Sequence, residues 1–291
     1  MRKTLIAVAI AGAFSLPTAV MAQAAAPAAA PASPHTFTGN VGLATEYLYR
    51  GIAQTRGKPA LQGGFDYSHA SGFYAGAWGS NISWIGDAVA GASASLEVDL
   101  YGGYKGSFGG DWGYDVGVLT YNYPGTGKTV PGFQQLKQDT TEIYGAVSWK
   151  WLTLKYSHST TPLFGWAKTS SGVTPNLNDG TKGSGYLELN AAYDLGDGWG
   201  VSGHVGHQKV KGYSDASYTD YKVGATKDLG FGVVGLAYST TNAKDNCSSA
   251  ALAVGVGDAV NPYCFVKGAG ASADPYQAGK GKIVATFSKS F

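Results

Sequence analysis

The chain has 291 residues, with 21 Lys and Arg against 19 Asp and Glu, and charged residues make up only 14% of it. Because an average soluble domain has about 25% charged residues, this composition disfavours an ordinary soluble protein. The 44 Gly, 19 Tyr and 7 Trp favour a β-wall that faces lipid and carries aromatic rims. Composition alone leaves a soluble all-β sandwich open.

The first residues predict a secretory signal peptide over residues 1–22. Arg2 and Lys3 precede an apolar stretch that ends in small residues, with cleavage after Ala22 and Ala24 as the alternative site. Loss of Arg2 and Lys3 leaves 19 basic against 19 acidic residues, so the exported chain has no basic excess for nucleic acid. Residues 23–35 are rich in Ala and Pro and predict an extended tether. The folded domain is predicted at 36–291.

Export also decides how the two cysteines are interpreted. Cys247 and Cys264 are the only cysteines, and in an oxidising compartment they predict a disulfide. No His partners lie near them in the sequence, so no metal site is predicted, and no motif indicates a cofactor. After the signal peptide no apolar run approaches the ~18 residues that a membrane helix needs.

From residue 36 the chain alternates apolar and polar residues in short segments separated by turn residues. This period of two predicts β-strands with one apolar face and one polar face. The predicted strands are 37–49, 59–68, 73–82, 93–105, 112–122, 139–149, 152–159, 185–195, 199–208, 219–227, 231–240 and 282–291.

The lengths of the connections depend on whether the preceding strand is odd or even in the chain order. After each even-numbered strand the link is short (69–72, 106–111, 150–151, 196–198 and 228–230), and after each odd-numbered strand it is longer and variable. Tight turns at one end and long loops at the other are typical of transmembrane β-barrels, whereas a Greek-key sandwich would not sort its loops in this way. We therefore predict an all-β fold, a transmembrane antiparallel up-and-down β-barrel of twelve strands.

Aromatic residues concentrate near the predicted strand ends, as expected for two girdles at the membrane surfaces. At the short-turn rim they are Tyr67, Phe73, Trp112, Trp149, Trp199, Phe231 and Phe291. At the other rim they are Tyr47, Tyr49, Tyr121, Tyr186, Tyr221 and Tyr238.

The last strand runs to the final residue. In lipid every backbone polar group needs a partner, so the last strand must pair with the first. Phe287 and Phe291 lie on its apolar face, which predicts that Phe291 is a girdle residue. An aromatic C-terminal residue also resembles the signal that outer-membrane barrels present to the barrel-assembly machinery, so that machinery and outer-membrane lipid are the expected partners.

Residues 39–81 carry a family resemblance. The stretches "YLYRGIAQT", "PALQGGFDY" and "SGFYAGAWGSN" resemble the opening of the TorF-like putative porins of Gram-negative bacteria. The later hairpins resemble that family less specifically. The resemblance implies an outer-membrane barrel with a pore role, and it brings no substrate or set of functional residues.

If the apolar face of the strands meets lipid, the polar face lines a lumen. Acids outnumber bases there, which predicts a weak cation preference, although the charges could instead pair across the lumen and fill it. A twelve-stranded barrel predicts a narrow passage for ions and small solutes, with loops 160–184 and 241–280 long enough to close it. The predicted lumen-lining residues are Glu46, Arg50, Glu97, Asp99, Asp115, Glu142, Lys155, Glu188 and Lys222.

Three functions stay open at this point. The first is a porin for passive diffusion of ions and small hydrophilic solutes across the cell outer membrane. The second is a plugged barrel with a structural or surface-binding role. The third is a lipid hydrolase using His158 or His207, and the sequence disfavours it because no serine is convincingly placed beside them. We therefore expect no enzyme activity, and the sequence does not indicate an oligomeric state.

Overall fold

The computed structural model describes residues 33–88, 94–127, 137–166, 168–169, 172–173, 180–247, 260–267 and 270–291. The predicted signal peptide and most of the predicted tether lie outside these residues. Within them no helix is long and apolar enough to cross a membrane.

Twelve long strands form the wall of the molecule. They alternate β-branched, aromatic and leucine residues with small or polar ones, and each strand ends at turn residues. The strands are β1 (His35–Ala44), β2 (Ala60–His69), β3 (Phe73–Asn81), β4 (Leu96–Phe108), β5 (Trp112–Asn122), β6 (Thr140–Trp149), β7 (Leu152–Ser159), β8 (Gly185–Gly196), β9 (Trp199–Lys209), β10 (Tyr218–Asp228), β11 (Val233–Thr241) and β12 (Lys282–Ser290).

Each wall strand pairs antiparallel with its neighbours in the chain, and β1 pairs with β12 to close the barrel. The predicted twelve-stranded, antiparallel, up-and-down barrel is therefore confirmed. The short connections all lie at one end of the barrel, together with the start of β1 and the end of β12. Asp197 and Gly198 show why a very short link suffices: their φ angles of 52° and 75° give a turn whose twist matches the flanking strands.

The two faces of the wall differ in polarity. Outward residues are apolar and exposed, such as Leu100 (52%), Val116 (50%) and Leu236 (57%). Inward residues of the wall are polar, such as Glu97 on β4 and Glu142 on β6, which are only 1% and 2% exposed. Large exposed apolar surface is unfavourable in water, whereas an apolar band around a closed barrel suits a lipid bilayer.

The last residue completes the barrel seam. The Phe291 amide N–H donates to the carbonyl of Gly39 at 2.9 Å, and the Gly39 N–H donates back at 2.8 Å. A Cβ at Gly39 would lie 2.6 Å from the Phe291 ring, so only glycine leaves room for that ring. Phe291 is 71% exposed, and the Phe287 ring covers Gly232 in the same way, since a Cβ there would lie 2.5 Å away.

The long-loop end carries additional short elements. Helix α1 (Trp84–Ala88) follows β3, and three two-stranded hairpins are formed by Leu48–Tyr49 with Ile52–Ala53, Lys168–Thr169 with Gly172–Val173, and Cys264–Lys267 with Asp274–Gln277. In the loop between β11 and β12 a disulfide joins Cys247 to Cys264, with their Cα atoms 5.2 Å apart.

Candidate functional site

The loop after β1 folds into the barrel. Its residues 47–53, here called the lumen hairpin, contain the pair Leu48–Tyr49 with Ile52–Ala53. The turn residues Arg50 and Gly51 have φ angles of 46° and 77°, which is the two-residue hairpin turn with both central residues left-handed.

Space also fixes the identity of the second turn residue. A Cβ at Gly51 would lie 2.5 Å from Thr241 Cγ2 and 3.0 Å from Asp220 Cβ, so the turn touches the wall at β11 and β10. The left-handed conformation of Arg50 costs of order 1 kcal/mol, and such a conformation persists only where the surroundings fix it.

Arg50 reaches the far wall of the barrel. Its Nη2 lies 2.7 Å from Glu142 Oε2, its Nη1 lies 3.1 Å from Glu142 Oε1, and the same Nη1 donates to Gln208 Oε1 at 2.6 Å. The guanidinium also lies 4.1 Å from the centre of the Tyr186 ring. The side chains of Arg50 and Glu142 are only 8% and 3% exposed. A bidentate, buried pair of this kind is geometrically specific.

Two tyrosines attach the near side of the hairpin. The Tyr47 hydroxyl donates to Glu97 Oε1 at 2.5 Å, and its ring lies edge-on to Trp78 at 5.6 Å. The Tyr49 hydroxyl donates to the Tyr121 hydroxyl at 3.1 Å. With the Arg50 contacts, the hairpin touches inward side chains from β3 to β11 and so crosses the lumen.

These contacts correct the predicted outer girdle. Tyr221 and Tyr238 are about half exposed on the outer face, but four of the tyrosines assigned to that girdle are buried inside the barrel. The reason is that β1 ends at Ala44, five residues before the predicted end, so alternation beyond it no longer marks the lipid face. Tyr121 and Tyr186 lie on the inward parity of their strands. The buried tyrosines are Tyr47, Tyr49, Tyr121 and Tyr186, with 0%, 6%, 1% and 2% exposure.

The base of the hairpin is held from the long-loop end. Glu46 Oε1 accepts from the Tyr276 hydroxyl at 2.5 Å and from the Gly57 N–H at 2.7 Å. Arg56 Nη2 lies 2.8 Å from Asp274 Oδ2. Burial and the hydrogen bond to Glu46 raise the pKa of Tyr276, so this phenol keeps its proton and remains a donor.

A second polar network lies on β8, β9 and β10. His204 Nε2 lies 2.8 Å from Asp220 Oδ1, and its Nδ1 lies 2.7 Å from Asn190 Oδ1. Asn190 Nδ2 donates to Glu188 Oε2 at 2.8 Å, and the Tyr186 hydroxyl donates to Asp220 Oδ2 at 2.9 Å. The ring of Tyr186 also contacts the Arg50 guanidinium, so this network is connected to the hairpin tip. His204, Asn190 and Gln208 are not among the predicted lumen residues, although they lie on the polar face of their strands and this position was a usable signal.

The remaining predicted lumen residues also point inward. Asp115 Oδ1 accepts from the Tyr74 hydroxyl at 2.6 Å. Lys155 is 3% exposed, and its ammonium lies 4.3 Å from the centre of the Tyr144 ring. Lys222 pairs with His204 across β10 and β9. The nine predicted residues thus share one interior, but Arg50 and Glu46 enter it from a loop and not from a strand.

The lumen has two different halves. At the long-loop half the inward side chains are buried around the lumen hairpin. An aromatic pocket with about 430 Å³ of empty space, part of it open to solvent, lies there beside Tyr49, Trp84 and Phe164. At the short-turn half many inward residues are small and partly or fully exposed, which leaves a vestibule beside the larger inward side chains of Tyr74 and Lys105. These small residues are Gly113, Ser148, Thr153, Ala192, Ser202, Gly224, Thr226 and Gly235.

The chain matches a family model over most of its length. Residues 28–288 match the model described as "Bacterial protein of unknown function (Gcw_chp)". The chain belongs to the Gcw_chp family. The TorF-like name is finer than this match and stays a prediction. No curated protein matches the chain.

Among solved structures the chain is similar to outer-membrane porins. The KdgM porin in complex with disordered oligogalacturonate has 6% identity and a TM-score of 0.45, with 88% of this chain and 98% of that chain covered. The NanC porin has 8% identity, a TM-score of 0.45 and coverages of 87% and 98%. OprD of Pseudomonas aeruginosa has 13% identity, a TM-score of 0.39 and coverages of 89% and 66%. Likeness at this level carries no argument about function.

Proposed function

We propose that this Gcw_chp protein is an outer-membrane porin, through which ions and small hydrophilic solutes diffuse down their gradients. The observation that carries the proposal is a closed barrel with an apolar outside, a charged interior and a vestibule of small, partly exposed residues at the short-turn end. A barrel that served only as a scaffold would gain stability by filling this half with large side chains, since packed interiors avoid open space.

The passage is narrow because the lumen hairpin crosses it. Small solutes pass either around the hairpin, or through the space that opens when Arg50 releases Glu142 and Gln208 and the hairpin moves away. Loops 160–184 and 241–280, which were also expected to narrow the passage, contribute Phe164 and Tyr263 to the aromatic pocket beside the hairpin.

A weak cation preference forms part of the proposal. Acidic side chains outnumber basic ones on the inward face, and charge of one sign in a narrow passage favours the opposite ion. The pairs Arg50–Glu142 and Lys282–Glu46 cancel part of this charge, so the preference is modest. Outer-membrane location after export is supported by the apolar belt and by the predicted signal peptide.

The second candidate is a plugged barrel with a structural or surface-binding role, and the hairpin contacts favour it. The hydrolase alternative has less support. The hydrogen-bond partners of His158 and His207 in the described structure are Tyr156 and Thr219, and neither pair has the serine that such an enzyme would need.

Single-channel recording of the refolded protein in a planar bilayer, with a salt gradient, separates the candidates. Discrete current steps with a cation-selective reversal potential support the porin. Current steps without ion selectivity would support the pore but refute the cation preference. A correctly folded barrel that gives no steps, and still gives none when residues 48–53 are replaced by a short Gly-Ser link, would refute the porin and leave the plugged barrel.

A further inference from the structure

Glu97 and Asp99 form an unusual pair inside the barrel. They lie two residues apart on β4, so both side chains point inward. Their Cα atoms are about 6.7 Å apart along the strand, and each residue is only 1% exposed. Their burial means that neither carboxylate is open to bulk water.

The oxygens of this pair are largely unsatisfied. Glu97 Oε1 accepts from the Tyr47 hydroxyl. Glu97 Oε2 and both Asp99 oxygens are buried and make no hydrogen bond of normal geometry in the described part of the chain, where the Tyr123 hydroxyl is the polar group beside Glu97. Buried polar groups are normally hydrogen-bonded, so three unpartnered oxygens in one place need an explanation.

Positive charge does not balance the pair either. Among the ion pairs of the described residues none involves Glu97 or Asp99, and the guanidinium of Arg50, the hairpin's own cation, is engaged by Glu142. Isolated buried carboxylates are strongly unfavourable as anions. The pair must therefore either take up protons or hold a cation.

The surroundings favour a cation. Asp99 stands between Trp78 on β3 and Tyr121 on β5 in the strand register, and aromatic faces attract cations. The three free oxygens are carboxylate oxygens, which are the ligands that hard divalent ions prefer. A single divalent ion would also neutralise both charges at once.

We infer that Glu97 and Asp99 form a binding site for one oxygen-preferring divalent cation, such as Ca²⁺, against the lumen hairpin. Two carboxylates supply fewer ligands than a dedicated Ca²⁺ loop, and no group of three or more His, Cys, Asp or Glu side chains gathers as a metal site among the described residues. Water must complete the coordination, so we expect a Kd on the order of 10⁻⁴ to 10⁻³ M, as in weak sites with few charged ligands.

The site is coupled to the hairpin through one side chain. Tyr47 belongs to the hairpin and donates to Glu97, so a cation that fixes the Glu97 carboxylate also fixes the acceptor of this bond. Cation binding should therefore favour the seated hairpin, and seating the hairpin should favour cation binding, since such coupling is reciprocal.

The test is equilibrium dialysis of radioactive Ca²⁺ against the refolded, lipopolysaccharide-free barrel in detergent. Wild type should bind one Ca²⁺ per chain, and the double variant Glu97→Gln/Asp99→Asn should bind at least tenfold more weakly. The matched control Asp115→Asn/Glu188→Gln removes two lumen charges elsewhere and should keep wild-type affinity. Folding of each variant is checked by heat-modifiable gel mobility. If the double variant does not fold, the single variant Asp99→Asn replaces it in the binding measurement.

Two results would overturn the inference. One is the lack of Ca²⁺ binding by folded wild type in the millimolar range, which would mean that the pair holds protons. The other is equal binding by wild type and the Glu97/Asp99 variants, which would place the ion elsewhere. Ca²⁺ binding is measured independently of ion conduction, so the two proposals can fail separately. A barrel that binds Ca²⁺ but does not conduct would refute only the porin proposal. A barrel that conducts but does not bind Ca²⁺ would refute only the cation site.

Discussion

Replacing Arg50 by Gln should release the lumen hairpin. Arg50 is the residue that joins the hairpin tip to the far wall, through two hydrogen bonds to Glu142 and one to Gln208. Gln cannot span these contacts, and it leaves Glu142, with a side chain 3% exposed, as an unpaired buried charge. Replacing both Arg50 and Glu142 by Gln removes the charge together with its partner.

The size of the effect follows from the burial of the pair. Breaking a buried ion pair costs about 3 to 5 kcal/mol, and we take the lower end because water from the vestibule can relax around Glu142. Since about 1.4 kcal/mol corresponds to a factor of ten, about 3 kcal/mol raises the ratio of displaced to seated hairpin roughly 100-fold. The double variant lacks the unpaired charge, so most of this shift should disappear.

The assay is the open probability and conductance of single channels for wild type, the two single variants and the double variant. Arg50→Gln and Glu142→Gln should each lengthen or enlarge the open state, and the double variant should lie closer to wild type than either. Two results contradict the reasoning: equal conductance in all four proteins, or a double variant whose effect is the sum of the single effects, which would mean that the two side chains are not coupled.

Three further predictions test other parts of the structure. Gly51→Val should also unseat the hairpin and raise conductance, because a Cβ there meets a wall methyl at 2.5 Å. Gly109→Val has the same strain of a positive φ (54° against 77°) but meets nothing within 4 Å, so it should leave the current unchanged; equal currents would contradict the tight fit. Replacing Cys247 and Cys264 by Ser should destabilise the loop by ~3 kcal/mol, as closure of a loop of this length predicts; thiol labelling of unreduced wild type should find no free cysteine, and a labelled one would oppose the bond. Deletion of Phe291 should slow insertion into bilayers, measured as the half-time of the heat-modifiable band, since it removes both seam bonds to the first strand; an unchanged half-time would show that the seam forms without it.

The wall of the barrel could be predicted because its signals are local. In β4, for example, Leu96, Val98 and Leu100 alternate with Glu97 and Asp99, and this period directly reports which face meets lipid. The lengths of the connections then give the order of the strands. Neither signal requires knowledge of residues far apart in the chain.

The lumen hairpin could not be predicted because its contacts are distant in sequence. The alternation of Leu43, Tyr47 and Tyr49 continues past Ala44, so nothing local marks the point where the chain leaves the wall. Arg50 meets Glu142 across 92 residues and Gln208 across 158 residues. Only the pair Arg50–Gly51 hinted at a tight turn, and that signal is weak without an Asn or Asp before the glycine.

The two anchors of the hairpin differ in strength, and this difference determines how it can move. At the base, Arg56 binds an Asp274 side chain that is 70% exposed, and exposed pairs contribute about 0 to 1 kcal/mol. At the tip, the Arg50–Glu142 pair is buried and bidentate, so its loss is far more costly. The tip therefore controls whether the hairpin is seated, and the base is tied to the wall through Tyr47 and Glu97. Occupation of the proposed cation site would tighten this tie, so Ca²⁺ should oppose opening at the base while Arg50 opposes it at the tip.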